Sequence, residues 1–455
     1  MNAPSPRRTI FETMRHWFAD GVFRRIFKNA GLLLTGRATN GLLGLATLSL
    51  SARGLGLEQF GVFVLLQTYV QVIMALATFQ SWQAVIRYGA ICIENKNVAD
   101  FQALVKFTTL LDIAGVVVGA GVGYFAAPLI GPYVGWNDQV IAYAQPFSFA
   151  ILFTILATPT GLLRLYDRFD LLAVQAAVTP LVRLIGIALA VFLHGPFWAY
   201  LAAWFVANVA GGAVLVYIGW REAARHGWLK GISLSLRGIT APHGGIWRFS
   251  IFSNLHASLT IVTGQMSTFL VGIVAGPSAA GLFKIGRDVA TAIARPADLL
   301  NQSIYPEFAR LGSRDGWRDF KRLILRGAAV AGGGAAFMFV LSVFGGHLFI
   351  STFFGPAFVE AYWPLVLLVA TAGITLVGFP MEPALYAMGR PSIPLRIETV
   401  VILAIYLPIL VITTRIYGPT GAAVASLAAA LASVTAMTFF TVVLLRRRVA
   451  RSSPA

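Results

Sequence analysis

Between residues 28 and 445 one feature recurs about a dozen times: a run of roughly 20 predominantly apolar residues, closed by a turn signal or a basic cluster. A helix of that length crosses the hydrocarbon core of a bilayer, which is about 30 Å thick. With no water in that core, every backbone N–H and C=O must be bonded inside the protein, so only helices or a closed barrel can cross it. The runs are about twice the length of a barrel strand, so the expectation is an all-α integral membrane protein with about twelve transmembrane helices. They lie near 28–51, 60–83, 103–130, 141–163, 172–194, 198–219, 249–275, 282–304, 324–350, 361–387, 396–415 and 421–445. Charged residues make up only 12% of the chain, where a soluble domain carries about a quarter.

The net charge of +17 does not gather in one patch. With the N-terminus placed in the cytoplasm, 28 of the 35 basic residues fall in the leader, the tail and the loops on that side. Only Arg53 and Arg415 fall on the other side. This asymmetry is the positive-inside pattern and predicts a multi-pass membrane protein with both termini cytoplasmic. It also speaks against nucleic acid as a partner, since no basic recognition motif is present. Residues 1–27 read as an interfacial amphipathic segment, with Phe11, Met14, Phe18, Val22 and Ile26 at helical spacing among arginines. A cleavable signal fits less well, because Arg37 interrupts the apolar region that would follow. The single cysteine, Cys92, leaves no intramolecular disulfide, and the scattered histidines suggest no metal and no cofactor.

The chain repeats itself at an offset of 220 to 223 residues. The segment Gly56-Leu57-Glu58-Gln59-Phe60-Gly61-Val62-Phe63 returns as Gly276-Pro277-Ser278-Ala279-Ala280-Gly281-Leu282-Phe283. His194-Gly195-Pro196 returns as Tyr417-Gly418-Pro419, and Pro159 with Tyr166 and Arg168 parallels Pro380 with Tyr386 and Arg390. Six spans separate the copies, which gives both halves the same orientation, a parallel repeat. The expected organisation is a six-helix lobe over 28–220, a basic cytoplasmic linker over 221–248, a second six-helix lobe over 249–445, and a basic tail over 446–455. Two such lobes around a central cleft are the architecture of an alternating-access transporter.

Two stretches resemble a known family. LSARGLGLEQFGVFVLLQTYVQVIMALATFQSWQAVIRYGA, within residues 30–90, and VAGPSAAGLFKIGRDVATAIARPADLLNQSIYPEFARL are similar to polysaccharide flippases of the multidrug/oligosaccharidyl-lipid/polysaccharide exporter superfamily. The resemblance implies two six-helix lobes and a cargo of polyprenyl-diphosphate-linked oligosaccharide. That cargo is carried across the inner membrane for O-antigen, capsule or exopolysaccharide synthesis. Its implied partners are that glycolipid, membrane lipids, and polymerase or export machinery acting on the same glycan.

Five cations lie inside the apolar runs: Arg37, Arg183, Lys284, Arg287 and Arg295. A charge at the bilayer centre costs about 3 kcal/mol on insertion scales, so such residues usually face a protein interior and mark the path of a ligand. In the eighth span Lys284, Arg287, Asp288, Thr291, Arg295, Asp298 and Gln302 form one polar stripe. That stripe fits an anionic headgroup, with the arginines donating charge-assisted hydrogen bonds to phosphate. A salt-bridged seam, in which Lys284 pairs with Asp288 and Arg295 with Asp298, is the alternative, and it suits Lys284 better than the two arginines. Arg37 shares its face with Asn40, Gly41, Gly44 and Ser51, and Arg183 follows Pro180. Gln67, Gln71, Thr78 and Trp82 form a second stripe suited to sugar, echoed by Ser250, Asn254, Ser258 and Gln265 in the second lobe; interhelical hydrogen bonding explains both equally well. Asp112, on a face with Gly115, Gly119 and Gly123, is a candidate for ion coupling or for an ion pair, as are Asp288 and Asp298.

Val117–Tyr124 imitates a dinucleotide-binding fingerprint but lacks the strand–helix context and the last small residue; close helix packing explains its glycines better. No phosphate-binding loop for ATP is present. An exporter of small amphiphiles is the first rival reading, weakened by the surplus of intramembrane cations over Asp112, Asp288 and Asp298. A membrane-embedded polymerase or glycosyltransferase is the second, weakened by the lack of paired carboxylates and of a substantial outer loop. The expectation is a transporter rather than an enzyme.

Overall fold

The computed structural model describes the backbone of residues 21–233, 235–313, 317–388, 390 and 392–452. Side chains are described for residues 40–251, 254, 264–293 and 324–445, apart from 234, 330, 387, 389 and 391. Residues 1–20 of the expected amphipathic leader, and the side chains of the basic tail 446–455, lie outside these ranges. The described chain is helical: α1 (Gly21–Ala77), α2 (Ser81–Glu94), α3 (Val98–Ile130), α4 (Asp138–Phe147), α5 (Ala157–Leu165), α6 (Phe169–Phe192) and α7 (Phe197–Arg225). There follow α8 (Ile246–Ser313), α9 (Trp317–Phe353), α10 (Tyr362–Gly378), α11 (Met381–Ala387), α12 (Ser392–Val400), a π-helical turn at Val401–Tyr406, and α13 (Leu407–Ser452).

Nine stretches among the described residues are long and apolar enough to cross a membrane. Two of them, Asn40–Glu94 and Ser392–Leu445, run to 55 and 54 residues. A straight helix of that length would reach about 80 Å, more than twice the hydrocarbon thickness. Each is broken by a glycine turn instead, at Gly56 (φ 71, ψ 173) and Gly418 (φ 56, ψ −135). The sequence repeat has a structural counterpart here: Gly276 in α8 has φ 85 and ψ 175, nearly the conformation of Gly56. A residue with a Cβ is strained there, which is why both copies turn on glycine. The short helices α5 and α11 likewise occupy equivalent places, each beginning beside its proline, Pro159 or Pro380.

The chain divides into two compact units that do not follow a single cut in the sequence. One comprises Met1–Thr47, Ile73–Phe125 and Gln145–Val262; the other comprises Leu48–Val72, Ala126–Ala144 and Thr263–Ala455. In the first unit the glycine face of α3 lets backbones meet. A Cβ at Gly115 would lie 2.2 Å from the Ala77 carbonyl oxygen, and one at Gly123 would lie 2.9 Å from Ser148. Small residues at such spacing drive helix association in lipid, where apolar burial gives no net gain. The basic linker is strapped onto α3. Gln102 donates to the carbonyls of Trp228 and Lys230, Lys106 to the Ser235 carbonyl, and His243 Nε2 lies 2.9 Å from the Asp100 carbonyl. Phe101 packs on Trp228 and Phe107 on Trp247.

At one end of this unit Glu222, nearly buried, pairs with Arg168 at 2.5 Å and Arg225 at 3.4 Å, while Arg168 also grips Asp170. The hydrogen bonds to Asp170 and Glu222 hold the Arg168 guanidinium above its usual pKa, so it stays charged at any physiological pH. Burial, then the Glu222 charge, pushes the neighbouring Tyr166 phenol up to about 12.

In the second unit the Gly56 and Gly276 turns pack together. A Cβ at Gly61 would lie 2.1 Å from the Pro277 carbonyl oxygen, and Phe60 meets Phe358 edge to face. Arg53 Nε donates to the Phe353 carbonyl at 2.8 Å, and its terminal nitrogen to Thr352, satisfying carbonyls that α9 leaves free at its C-terminus. Gly61→Val should force these turns apart. The expected cost is about 1–3 kcal/mol or more, read as a lower thermal midpoint of the detergent-purified protein; an unchanged midpoint would contradict this packing.

Candidate functional site in the membrane-spanning segments

Asp112 is 3% exposed and sits in the first unit where two helices are interrupted. The chain leaves helical geometry at 78–80, between α1 and α2, and again at 154–156, before α5. Ser81 Oγ, in the first residue of α2, donates to Asp112 Oδ1 at 2.6 Å. Thr158, in the first turn of α5, donates to Oδ2 through its backbone N–H at 2.8 Å and its hydroxyl at 2.7 Å. The N-cap residues Gln80 and Leu156 supply no side-chain cap, so a carboxylate from α3 caps α5 and ties it to α2. Among the described residues its donors are the neutral Ser81 and Thr158, and no arginine pairs with it.

The break at 78–80 also divides the polar stripe expected on one continuous helix. Gln67 and Gln71 lie in the second unit, each partly buried, and Thr78 bonds back to the Met74 carbonyl. Trp82 begins again in α2 of the first unit, where its indole N–H donates to Gln80 and Arg164 lies over its ring at 4.2 Å. Arg183 faces the interior of the same unit, its guanidinium 5.1 Å from the ring centre of Trp204.

In the second unit Lys284 and Asp288 form an ion pair at 2.7 Å, the arrangement the seam reading requires. Arg287 differs: it donates to the Gly264 carbonyl and to the Gln265 side-chain oxygen, the latter at 2.9 Å. Both acceptors are neutral, and no carboxylate pairs with Arg287 among the described residues. Near it Tyr406, the last residue of the π-helical turn, bonds to Ser267 and Ser426. Asn40 is exposed, Ser250 is buried, and Asn254 is half-buried and engaged. The side chains of Arg37, Ser258, Arg295, Asp298 and Gln302 lie outside the described residues, so the Arg295–Asp298 half of the stripe does too.

Ser81, Thr158, Trp204 and Tyr406 were not among the residues singled out by sequence. The hydroxyls of Ser81 and Thr158 lie far along the chain from Asp112, and no local spacing links them. Tyr406 carried no signal, since a π-turn has no clear sequence signature.

Residues 26–312 match the family described as polysaccharide biosynthesis protein, well over half of the chain. The chain belongs to that family. It is 36% identical over 349 residues to the inner membrane protein YghQ of Escherichia coli (strain K12), a match covering 77% of this chain and 98% of that protein. Its fold resembles an inward-facing multidrug resistance MATE family transporter of the MOP superfamily, with TM-score 0.68 and 12% identity, over 89% of this chain and 96% of the other. It also resembles the lipid II flippase MurJ in an inward closed conformation, with TM-score 0.61 and 13% identity, over 93% of each chain. At these identities the likeness is one of fold, shared with a multidrug transporter and a lipid flippase.

The Asp112 geometry leads to a direct test. In Asp112→Asn one oxygen becomes an NH2 group that cannot accept from Thr158 or Ser81. Losing a charge-assisted cap and leaving a buried N–H facing a donor should cost about 1–3 kcal/mol. The expected readout is a lower melting midpoint with faster amide exchange at 157–160. Normal stability would mean the carboxylate is not holding these breaks together.

Proposed function

We propose that this protein is a flippase that carries polyprenyl-diphosphate-linked oligosaccharide across the bacterial inner membrane for surface polysaccharide synthesis. The observation that carries this reading is the Arg287 guanidinium, fixed inside a membrane-spanning segment by two neutral acceptors. A cation held so keeps its field, and in a low-dielectric setting that field favours an anionic headgroup. The planar fork of arginine matches phosphate oxygens, and the amides of Gln67, Gln71 and Gln265 are suited to sugar hydroxyls. Arg37 and Arg295 extend the same chemistry in this reading, and Asp288 balances Lys284. The two six-helix lobes, 28–220 and 249–445, belong to the proposal, as do a polymerase or export partner and the cytoplasmic placement of both termini. Family membership supports polysaccharide biosynthesis as the setting. Export of cationic amphiphiles suits the site less well, because Arg287 would repel them.

Orientation is checked by single-cysteine labelling in intact cells, on a chain with Cys92 replaced. Probes at Glu58, Asp138, Glu360 and Gly418 should react with an impermeant reagent, while probes at Arg314 and Arg447 should react only after permeabilisation. The reverse pattern would overturn the inward placement of the termini.

For the cargo, translocation of a polyprenyl-diphosphate glycan in proteoliposomes should fall in the order Arg, Lys, Gln at positions 37, 287 and 295. Lysine keeps the charge but not the bidentate geometry. Glutamine should cost about 2 kcal/mol of headgroup binding, roughly thirtyfold. Well-folded glutamine variants that translocate normally, singly and together, would defeat the mechanism.

A further inference from the structure

Helix α6 has two faces. Val174, Leu181, Ile185, Leu189 and Phe192 are exposed, while Leu172, Pro180, Ile187 and Ala190 are buried. At 100 degrees per residue, Arg183 falls among the buried set, about 180 degrees from the centre of the exposed stripe. Its charge therefore points into the helix bundle of the first unit, away from the exposed apolar face. There it lies over Trp204 of α7, which is 2% exposed and is packed on its other contacts by Phe147 of α4, with ring centres 5.1 Å apart. The close approach of Gly186 to Ala203 draws α6 and α7 together at this level, and Asn208 Nδ2 fixes the Trp204 carbonyl at 2.8 Å.

Each side chain of this pair carries a buried donor. The Arg183 Nε–H and the Trp204 indole N–H both lack an acceptor among the described residues. Neither side chain can accept a hydrogen bond, so they cannot satisfy each other. No carboxylate pairs with Arg183 among the described residues, and the aromatic rings around it carry no compensating charge. Buried charge is normally paired, and buried N–H groups are normally bonded. A guanidinium stacked over an indole, each with an unsatisfied buried N–H, invites one chemistry: a compact anion that accepts N–H bonds.

We propose that Arg183 and Trp204 form an anion-binding site inside the first unit. The anion is either a free halide or a phosphoryl oxygen of a diphosphate headgroup. The second source rests on the flippase reading; the first does not. Trp204 is the residue that gives the site its selectivity, because it supplies both the stacking surface that fixes the guanidinium and the second donor.

The test is equilibrium binding of radiolabelled chloride and of radiolabelled inorganic pyrophosphate to the full chain in nanodiscs, in gluconate buffer. Saturable binding near one per chain is expected for at least one probe. It should weaken by about tenfold or more in Arg183→Gln. A smaller loss is expected in Trp204→Phe, which keeps the ring stack and removes the N–H, and in Arg183→Lys, which keeps the charge. Melting curves accompany each variant, and if Arg183→Gln does not fold, the Trp204→Phe and Arg183→Lys chains decide. Chloride binding alone establishes a free-anion site, and pyrophosphate binding that chloride does not displace establishes a headgroup site. No saturable binding of either probe to the unmodified chain overturns the proposal, as does binding unchanged in the folded variants. Arg183→Gln that loses the anion yet still translocates glycan separates this site from the cargo path, whereas failed translocation with intact anion binding counts against the flippase reading alone.

Discussion

In hydrocarbon an unpaired backbone N–H or C=O has no water to turn to, and that constraint governs this chain. It makes the described residues helical almost throughout, and it makes every interruption of a helix a place where side chains must stand in for the ladder. At 78–80 and 154–156 the stand-in is Asp112, a carboxylate on a third helix that receives the Ser81 hydroxyl and both donors of Thr158. Thr154 and Thr160 hydroxyls return bonds to Ile151 and Leu156 on either side of the second break. At the end of α9 it is Arg53 that satisfies the freed carbonyls. The polar residues of the spans are thus, in the first place, repairs to the backbone.

Against that background the cations separate by the kind of partner they have. Lys284 is cancelled by Asp288 one turn away, and the pair contributes structure more than field. Arg168 and Arg225 share Glu222 at the end of the bundle, where a carboxylate is held between them. Arg287 and Arg183 are held by neutral neighbours, two oxygen acceptors in one case and an indole ring in the other. A charge fixed without being neutralised costs stability and leaves a field for a ligand to answer. These two residues, rather than the count of arginines, are where the fold keeps charge that no carboxylate among the described residues pairs.

The internal repeat is visible in conformation as well as in letters. Gly56 and Gly276 share an unusual backbone geometry, 220 residues apart, and Pro159 in the first turn of α5 and Pro380 at the N-cap of α11 mark matching helix starts. The third pair diverges in detail: the left-handed residue is His194 in the first copy and Gly418 in the second. The turn is kept, while its exact residue has moved, as happens when only the reversal of direction is required.

The sequence by itself determined the membrane-spanning helices, the glycine turns at Gly56, Gly276 and Gly418, and the close-packed face of Gly115, Gly119 and Gly123. It also placed Arg183 inside a membrane-spanning run, just after Pro180. All of these are properties of one helix or one turn, set by residues within a few positions of each other, so periodicity and residue type suffice to read them. Tertiary structure alone decided that Asp112 meets Thr158, 46 positions away, that Lys106 reaches the linker at Ser235, 129 positions away, and that Arg287 finds Gln265 rather than a carboxylate. It decided, too, that the stripe from Gln67 to Trp82 is broken at 78–80, and that Gln67 and Gln71 belong to one compact unit and Thr78 and Trp82 to the other. A helical pattern tells which side chains share a face; which neighbour that face meets depends on the simultaneous packing of all the helices, and no local run of residues encodes it.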